Sequence, residues 1–362
     1  MIKCSLKSED ADSEEIQILN HREWIYKLWD NLKYRNWDLT KFKDVHLIPT
    51  NRSTLRKLNT PKKIFSNENI SINLRHIFEK FGGVFVEHEF DVGRISRWNK
   101  ITSYIIKPDD IISVLGSFRA DTSYPRNLSQ TTLQTYEAST LANHLSNHLR
   151  LVNKVQIMNY IEVIKYLSIF FEVDHDSPIS LLPENTNWYL LPRNEENTCG
   201  KIIYPRNMGK FLNTSSQNLS YILEDIIKIT RLDSYVYWQK YVIPYLGSQQ
   251  QAVIDKVVDS LFDRLPFLLD HDVNLKDVLG RTSFVPVGTY KMSQQQEMPA
   301  RVKLVKPTEL FDPEDMTVVG LFFEEEQVFP AGRYGIPRNK FSNKFFSNLK
   351  LLGMKSDLSS ND

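Results

Sequence analysis

The sequence predicts an α+β fold, predominantly helical, with short strands in small mixed sheets and a repeat-derived plan. Three observations carry this. Apolar residues recur at helical spacing, as at Trp24, Ile25, Leu28, Trp29 and Leu32. Between such stretches lie short apolar runs closed by proline, the pattern of buried strands that stop abruptly. The 362 residues, 41% hydrophobic and 25% charged, suffice for a sizeable core and are globular in composition.

Taken in order, residues 1–15 are acidic and expected to form a disordered tail. The first helix carries Trp24 to Leu32 on one face. Leu47-Ile48 reads as a buried strand that Pro49 ends. Leu74, Ile77, Phe78 and Phe81 predict a helix, and Gly82-Gly83 sit where a C-cap needs positive φ. Val84-Phe85-Val86 follows as a strand. Asp109 and Asp110, placed where the helix dipole favours acids, start a short helix to Leu115 that Gly116 would close. Residues 129–152 and 154–171 read as two long helices. The second carries Ile157, Tyr160, Ile161, Ile164, Leu167 and Phe171 on one side. Turns and short strands fill 172–215. Helices are expected over 216–231, 234–246 and 249–268, with a helical turn at 272–279. Phe284-Val285-Pro286 opens a strand-and-loop region. A last helix near 341–352 ends at Gly353, and 356–362 is a polar tail.

Short echoes run through the chain. Two apolar residues precede proline at Leu47-Ile48-Pro49, Leu190-Leu191-Pro192 and Phe284-Val285-Pro286. Asp-His-Asp occurs at 174–176 and at 270–272, each time after a hydrophobic helix and before one of those strands. Helix-then-glycine endings recur at Phe81-Gly82 and Leu352-Gly353. The echoes point to a duplicated helix–loop–strand–helix unit, although each alone is short enough to arise by chance.

Composition narrows the function classes. Forty-five Lys+Arg against 44 Asp+Glu leave a net charge of +1, which disfavours a dedicated nucleic-acid binder. The 2 cysteines, Cys4 and Cys199, are too few for a disulfide framework or a zinc ribbon. The N-terminus has no apolar signal core, and runs such as 318–323 are far short of a membrane span. The expected location is the cytoplasm, with no membrane association.

The C-terminal third holds the most specific pattern. Phe284-Val285-Pro286 is followed by Leu304 and by Lys306-Pro307-Thr308-Glu309-Leu310-Phe311-Asp312-Pro313. Phe329-Pro330 and Leu351-Leu352-Gly353-Met354-Lys355 come next. This string resembles the repeat region of the sacsin family of giant chaperone-like proteins. There an F-V-P segment leads to P-x-E-L-[FY]-D-P, an F-P pair and a helix ending in L-G-[LM]. The helix before it, with Trp238 to Leu246, is similar too. So is Leu167-Ser168-Ile169-Phe170 with Ile179-Ser180-Leu181, although Ser168 replaces the usual proline. Leu47-Ile48-Pro49-Thr50 with Leu55 looks like another copy. The resemblance spans about 20–355, strongest over 235–355 and weakest over 84–135. It divides the chain into a tail (1–15), a helix-rich repeat-like module (16–171), a sacsin-repeat-like module (172–355) and a tail (356–362).

The residues behind this resemblance read structurally. Proline after a buried strand stops the ladder, and Asp312 before Pro313 is held extended with its carboxylate able to cap a turn. In the family, each large repeat begins with a GHKL ATP-binding domain, the class of gyrase and heat-shock chaperones. That domain needs a helix bearing Glu and Asn and an Asp-x-Gly-x-Gly loop. The nearest candidate, Asp91-Val92-Gly93-Arg94-Ile95, lacks the second glycine and the helix, and reads as a turn. Gly209-Lys210 is followed by Phe211 and makes no P-loop.

Other candidates have a bland reading beside the chemical one. His144 and His148 stand at the spacing of a zinc pair, but Leu145 occupies the place of a metalloprotease glutamate. A solvated or partner-facing helix surface is expected. The Asp-His-Asp loops would either ligate a cation or cap helix ends. Cys199 is a loop thiol that would need a histidine base to act as a nucleophile. Arg52, Arg56, Lys57, Lys62 and Lys63 lack interleaved aromatics and read as a solvated face. Trp24 and Trp29 read as core or interface packing.

The expectation is therefore a non-enzyme with no catalytic, cofactor-binding or metal residue. What the resemblance implies is a chaperone-associated or scaffold module of protein quality control, without the ATPase head. It would be a fragment of a longer product or a shortened paralogue. Expected partners are client proteins or chaperones of the heat-shock class. The alternatives are an orphan enzyme assembling Asp174, His175 and Cys199, or a nucleic-acid adaptor using 52–63.

Overall fold

The computed structural model describes residues 15–17, 22–59, 64–90, 104–121, 123–173, 175–181, 187–193, 210–214, 216–248, 251–290, 303–322, 327–334 and 343–356. Of these, 53% are helical and the strands are short, in small sheets, so the α+β class holds. The chain divides into two compact units. The first is Met1–Asn185 with Leu212–Ile229; the second is Thr186–Phe211 with Thr230–Asp362. The expected module boundary stood at 171.

In the first unit, helix α1 (Arg22–Tyr34) buries Ile25, Trp29 and Leu32, while Trp24 is 55% exposed and contributes no core, contrary to the core reading of its spacing. The Trp29 indole N–H donates to the Leu47 carbonyl at 2.7 Å, pinning α1 to strand β2 (His46–Pro49). Strand β3 (Thr54–Lys57) lies between β2 and β1 (Glu15–Gln17), all antiparallel. Strand β4 (Ile64–Phe65) is the centre of a parallel sheet with β5 (Val84–Phe85) and β6 (Ile105–Ile106). All six side chains are buried, as parallel strands require.

Helix α2 (Ile72–Lys80) joins β4 to β5. Ser71 caps its start, accepting from the Leu74 amide. Its end follows the sequence reading: Gly82 has φ +78°, and the Gly83 amide donates to the Phe78 carbonyl. A Cβ on Gly83 would stand 2.8 Å from that carbonyl oxygen, so no other residue fits the closure without a shift.

Three expected helices are corrected. The segment after Asp110 does not close at Gly116 but runs as α3 (Ile111–Arg119). A glycine inside a helix costs only about 1 kcal/mol, and this one gives the Tyr160 hydroxyl room: a Cβ there would lie 3.3 Å from it. The expected 129–152 helix is Arg126–Gln130 and then α4 (Thr135–Leu149). The expected 154–171 helix is α5 (Lys154–Met158), α6 (Ile161–Tyr166) and strand β7 (Phe170–Phe171). Tyr160 leaves the helical region at φ −119°, ψ 5°, and β7 pairs with β8 (Pro178–Ile179). A fully buried run such as Ile169 to Phe171 carries no period that separates helix from strand.

Helix α7 (217–227), α-helical and then π-helical, returns to this unit and packs on α4. The Asn218 side chain bonds both Ser146 and Asn143 of α4. Glu137, 1% exposed at the start of α4, accepts from the Gln134 amide at 2.8 Å and pairs with Lys80 of α2. Burial pushes this carboxyl up, but the amide and the ammonium together hold it below the usual carboxylate range.

In the second unit, β9 (Trp188–Leu190) pairs with β10 (Lys210–Leu212). Helices α8 (234–248) and α9 (Gln251–His271) follow, then α10 (Leu275–Gly280). Strand β11 (Val285–Gly288) is central between β12 (Leu304–Val305) and β13 (Phe329–Pro330), antiparallel to both. Helix α11 (Met316–Leu321) lies between β12 and β13 in sequence, and α12 (Asn343–Leu351) comes last. Phe284 and Val285 are fully buried, and Phe284 meets Phe262 of α9 edge to face.

Candidate functional site

The structure redistributes the candidates. His144 and His148, expected on a solvated or partner-facing surface, are neighbours on α4 with rings 4.5 Å apart. Both are half-buried; His144 packs edge-on to Phe78, and its Nε2 donates to the Pro108 carbonyl at 2.9 Å. Burial first, and then the neighbouring His148, push the His144 imidazole down to about 4, against the raising influence of the Pro108 bond and Asp109. It is neutral at neutral pH.

Among the Asp-His-Asp loops, Asp174 lies outside the described residues. At the other, Asp270 and His271 belong to the last turn of α9. Asp272 caps the next turn, accepting from the Asn274 amide at 2.9 Å and from the Tyr235 hydroxyl at 2.7 Å. The described residues contain no group of three His, Cys, Asp or Glu side chains able to hold a metal ion. Cys4, Cys199, the 91–95 loop, Lys62 and Lys63 also lie outside the described residues. The basic stretch is not a continuous solvated face: Arg56 is buried in β3, and Arg52 donates to the Gly83 carbonyl.

A different surface emerges in the first unit. Leu151, Val155 and Met158 are 82%, 70% and 68% exposed. Val155 and Met158 share a face of α5, and Leu151 stands two residues ahead of the capping Asn153, whose side chain accepts from the Val155 amide. Ile157 alone anchors this short helix in the core. Beyond Met158 a groove of about 300 Å³ opens, lined by Arg119, Tyr124, Asn159, Glu162, Val163 and Tyr166. Arg119 donates to the Asn159 carbonyl at 3.1 Å and so ties the end of α3 to the α5–α6 junction. Tyr124 and Tyr166 meet edge to face at 5.7 Å. Burial and then Tyr166 push the Tyr124 hydroxyl up, so it remains a donor through neutral pH. Glu162 is paired with Lys165 at 2.8 Å.

Within its own segment the shelf carries charge of one sign, while Asp225 of α7 acts on the same Tyr221 that Arg150 covers. No Asp or Glu occurs between Glu137 and Glu162, while Arg150 and Lys154 flank Leu151. Arg150 lies over the Tyr221 ring at 4.8 Å, and neither it, Lys154 nor Arg119 has an ion-pair partner among the described residues. A larger cavity of about 440 Å³ runs along α3, but its charged side chains are paired locally: Lys107 with Glu68, and Asp110 with the Ser113 hydroxyl and amide.

Sequence reading missed this shelf because it assigned 154–171 to one helix and followed only its buried stripe. The signal was present: Leu151, Val155 and Met158 fall at i, i+4, i+7 beside that stripe, within a segment free of acids. No family model, curated protein or solved structure matches the chain.

Proposed function

We propose that the chain is a non-catalytic chaperone-associated or scaffold module, similar to part of a sacsin repeat, that serves protein quality control in the cytoplasm by binding other proteins. Its partners are client proteins or chaperones of the heat-shock class. One observation chiefly supports this: Phe284, Val285, Thr308, Asp312, Phe329 and Gly353 of the sacsin-like string have packing roles in one unit. Thr308 donates to the Gly280 carbonyl and packs against Gly353, whose φ is +100°. Asp312 accepts from the Glu314 amide at 2.8 Å and pairs with Lys350 at 2.7 Å, while its own amide donates to the Lys355 carbonyl. Phe284, Val285 and Phe329 fill the core. Residues so occupied hold a scaffold together and leave binding to the surface.

The test is suppression of aggregation of reduced insulin at 25 °C, followed by light scattering at equimolar chain. Suppression without nucleotide, unchanged by Mg-ATP, is expected, together with no heat of Mg-ATP binding by calorimetry. Absence of suppression, or stoichiometric ATP binding with hydrolysis, would overturn the reading.

A further inference from the structure

We infer that the shelf of Leu151, Val155 and Met158, with the Arg119 groove beside it, docks an acidic amphipathic helix of a partner protein. The inference rests on the protein-binding reading and names the partner that the exposed surface fits. An exposed group of large aliphatic side chains rimmed by polar residues marks an interaction site. Val155 and Met158 present one face of α5, and Leu151 adds a third exposed aliphatic side chain from the turn before the helix. Charge selects the occupant. Among the described residues Arg119, Arg150 and Lys154 have no ion-pair partner, and the one carboxylate lining the groove, Glu162, is engaged by Lys165. Carboxylates on the flanks of an incoming helix would pair with these cations at the rim. There they set specificity and association rate, and the apolar anchors set affinity.

A nucleic acid is the weaker fit. Three cations neutralise only about three phosphates, which gives little affinity at physiological salt. The aliphatic shelf offers no stacking face for bases, and the groove's two tyrosines, Tyr124 and Tyr166, pack edge to face on each other. Leu151, Val155 and Met158 supply what an apolar helix face needs and a phosphodiester backbone does not use.

The probe is a fluorescein-labelled 16-residue peptide with Leu at i, i+3, i+4 and i+7 positions and Glu at most others. Its controls are a scrambled peptide of the same composition and a version with Lys for Glu. Binding to the full chain is read by anisotropy. The expected result is binding of the amphipathic acidic peptide about 10-fold or more tighter than of the scrambled one. Val155→Ser with Met158→Ser should weaken it about 10-fold or more, with the melting temperature little changed because both side chains are exposed. Lys154→Glu should weaken the Glu peptide and improve the Lys peptide. Equal binding by wild type and the Val155→Ser/Met158→Ser variant overturns the inference. So does tighter binding of a 20-residue oligothymidylate that displaces the peptide. Self-association in sedimentation that the same substitutions abolish also overturns it, by assigning the shelf to a second copy. If wild type fails to bind the peptide yet suppresses insulin aggregation, this inference falls and the protein-binding reading stands. If it does neither, both fall.

Discussion

Pro266 sits inside the 21-residue helix α9. Its ring nitrogen carries no hydrogen, so the Phe262 carbonyl one turn earlier loses its helical donor. The Asn348 amide, from α12, points its Nδ2 at that oxygen from 3.4 Å. A distant residue thus satisfies the group the proline orphans. Asn348→Leu should cost about 1 kcal/mol in the wild-type background. With Pro266→Ala, the restored N–H makes Asn348 redundant, and the same change should cost much less. A double-mutant cycle from urea melts measures this, and strictly additive effects would refute the pairing.

His144 is the other informative single residue. Its folded-state value of about 4 lies below the ordinary histidine range, so between about pH 4 and 6.5 the unfolded chain binds a proton that the folded chain does not. Stability is therefore full above the unfolded value and falls as pH drops toward 4. The loss is on the order of 2–3 kcal/mol. His144→Gln keeps a donor for the Pro108 carbonyl but does not titrate. Melts at pH 5 and 7.5 should show a smaller drop in midpoint for the variant, and equal drops would exclude this account.

At the scale of elements, the apolar pairs before proline carried the most reliable information, although Pro286 does not end its strand: β11 runs on to Gly288. Leu47-Ile48, Leu190-Leu191 and Phe284-Val285 are all buried. Phe284 leads into β11, the middle strand of its sheet, and its amide donates to the Val305 carbonyl. Phe284→Ala should cost about 3–5 kcal/mol. With a urea slope of about 1–3 kcal/mol/M, that lowers the midpoint by at least about 1 M. Lys306→Ala removes only a surface pair with Glu309 and should cost under roughly 0.5 kcal/mol. Similar small shifts for both variants would mean that β11 is not a core strand. The strands also show why element ends were easier to read than element lengths. Gly82, Gly353, Pro49 and Asp110 act on their own backbone within one turn. By contrast, Gly116 stays inside α3, and the close approach of the Tyr160 hydroxyl that its missing Cβ permits comes from some forty residues away in the chain.

For the whole molecule, the chain crosses between its two units at 185/186, 211/212 and 229/230. Unfolding followed by one probe need not match unfolding followed by another in such a chain. Melts of Phe284 variants are therefore best read from the second unit, where Trp238 is fully buried. The described residues include no helix long and apolar enough to cross a membrane. The sequence by itself determined the α+β class, most helices, the stops at Gly82 and Gly353, and the burial of the apolar pairs before proline. Each of these follows from propensity, φ preference or periodicity among residues close in the chain. Tertiary structure alone decided that 154–171 is two short helices and a strand, and that Arg56 lies inside while Trp24 lies outside. It alone showed that Asn348 answers Pro266, and that Leu151, Val155 and Met158 face outward. Periodicity marks an apolar face, but whether that face is covered depends on segments that folding brings from elsewhere in the chain.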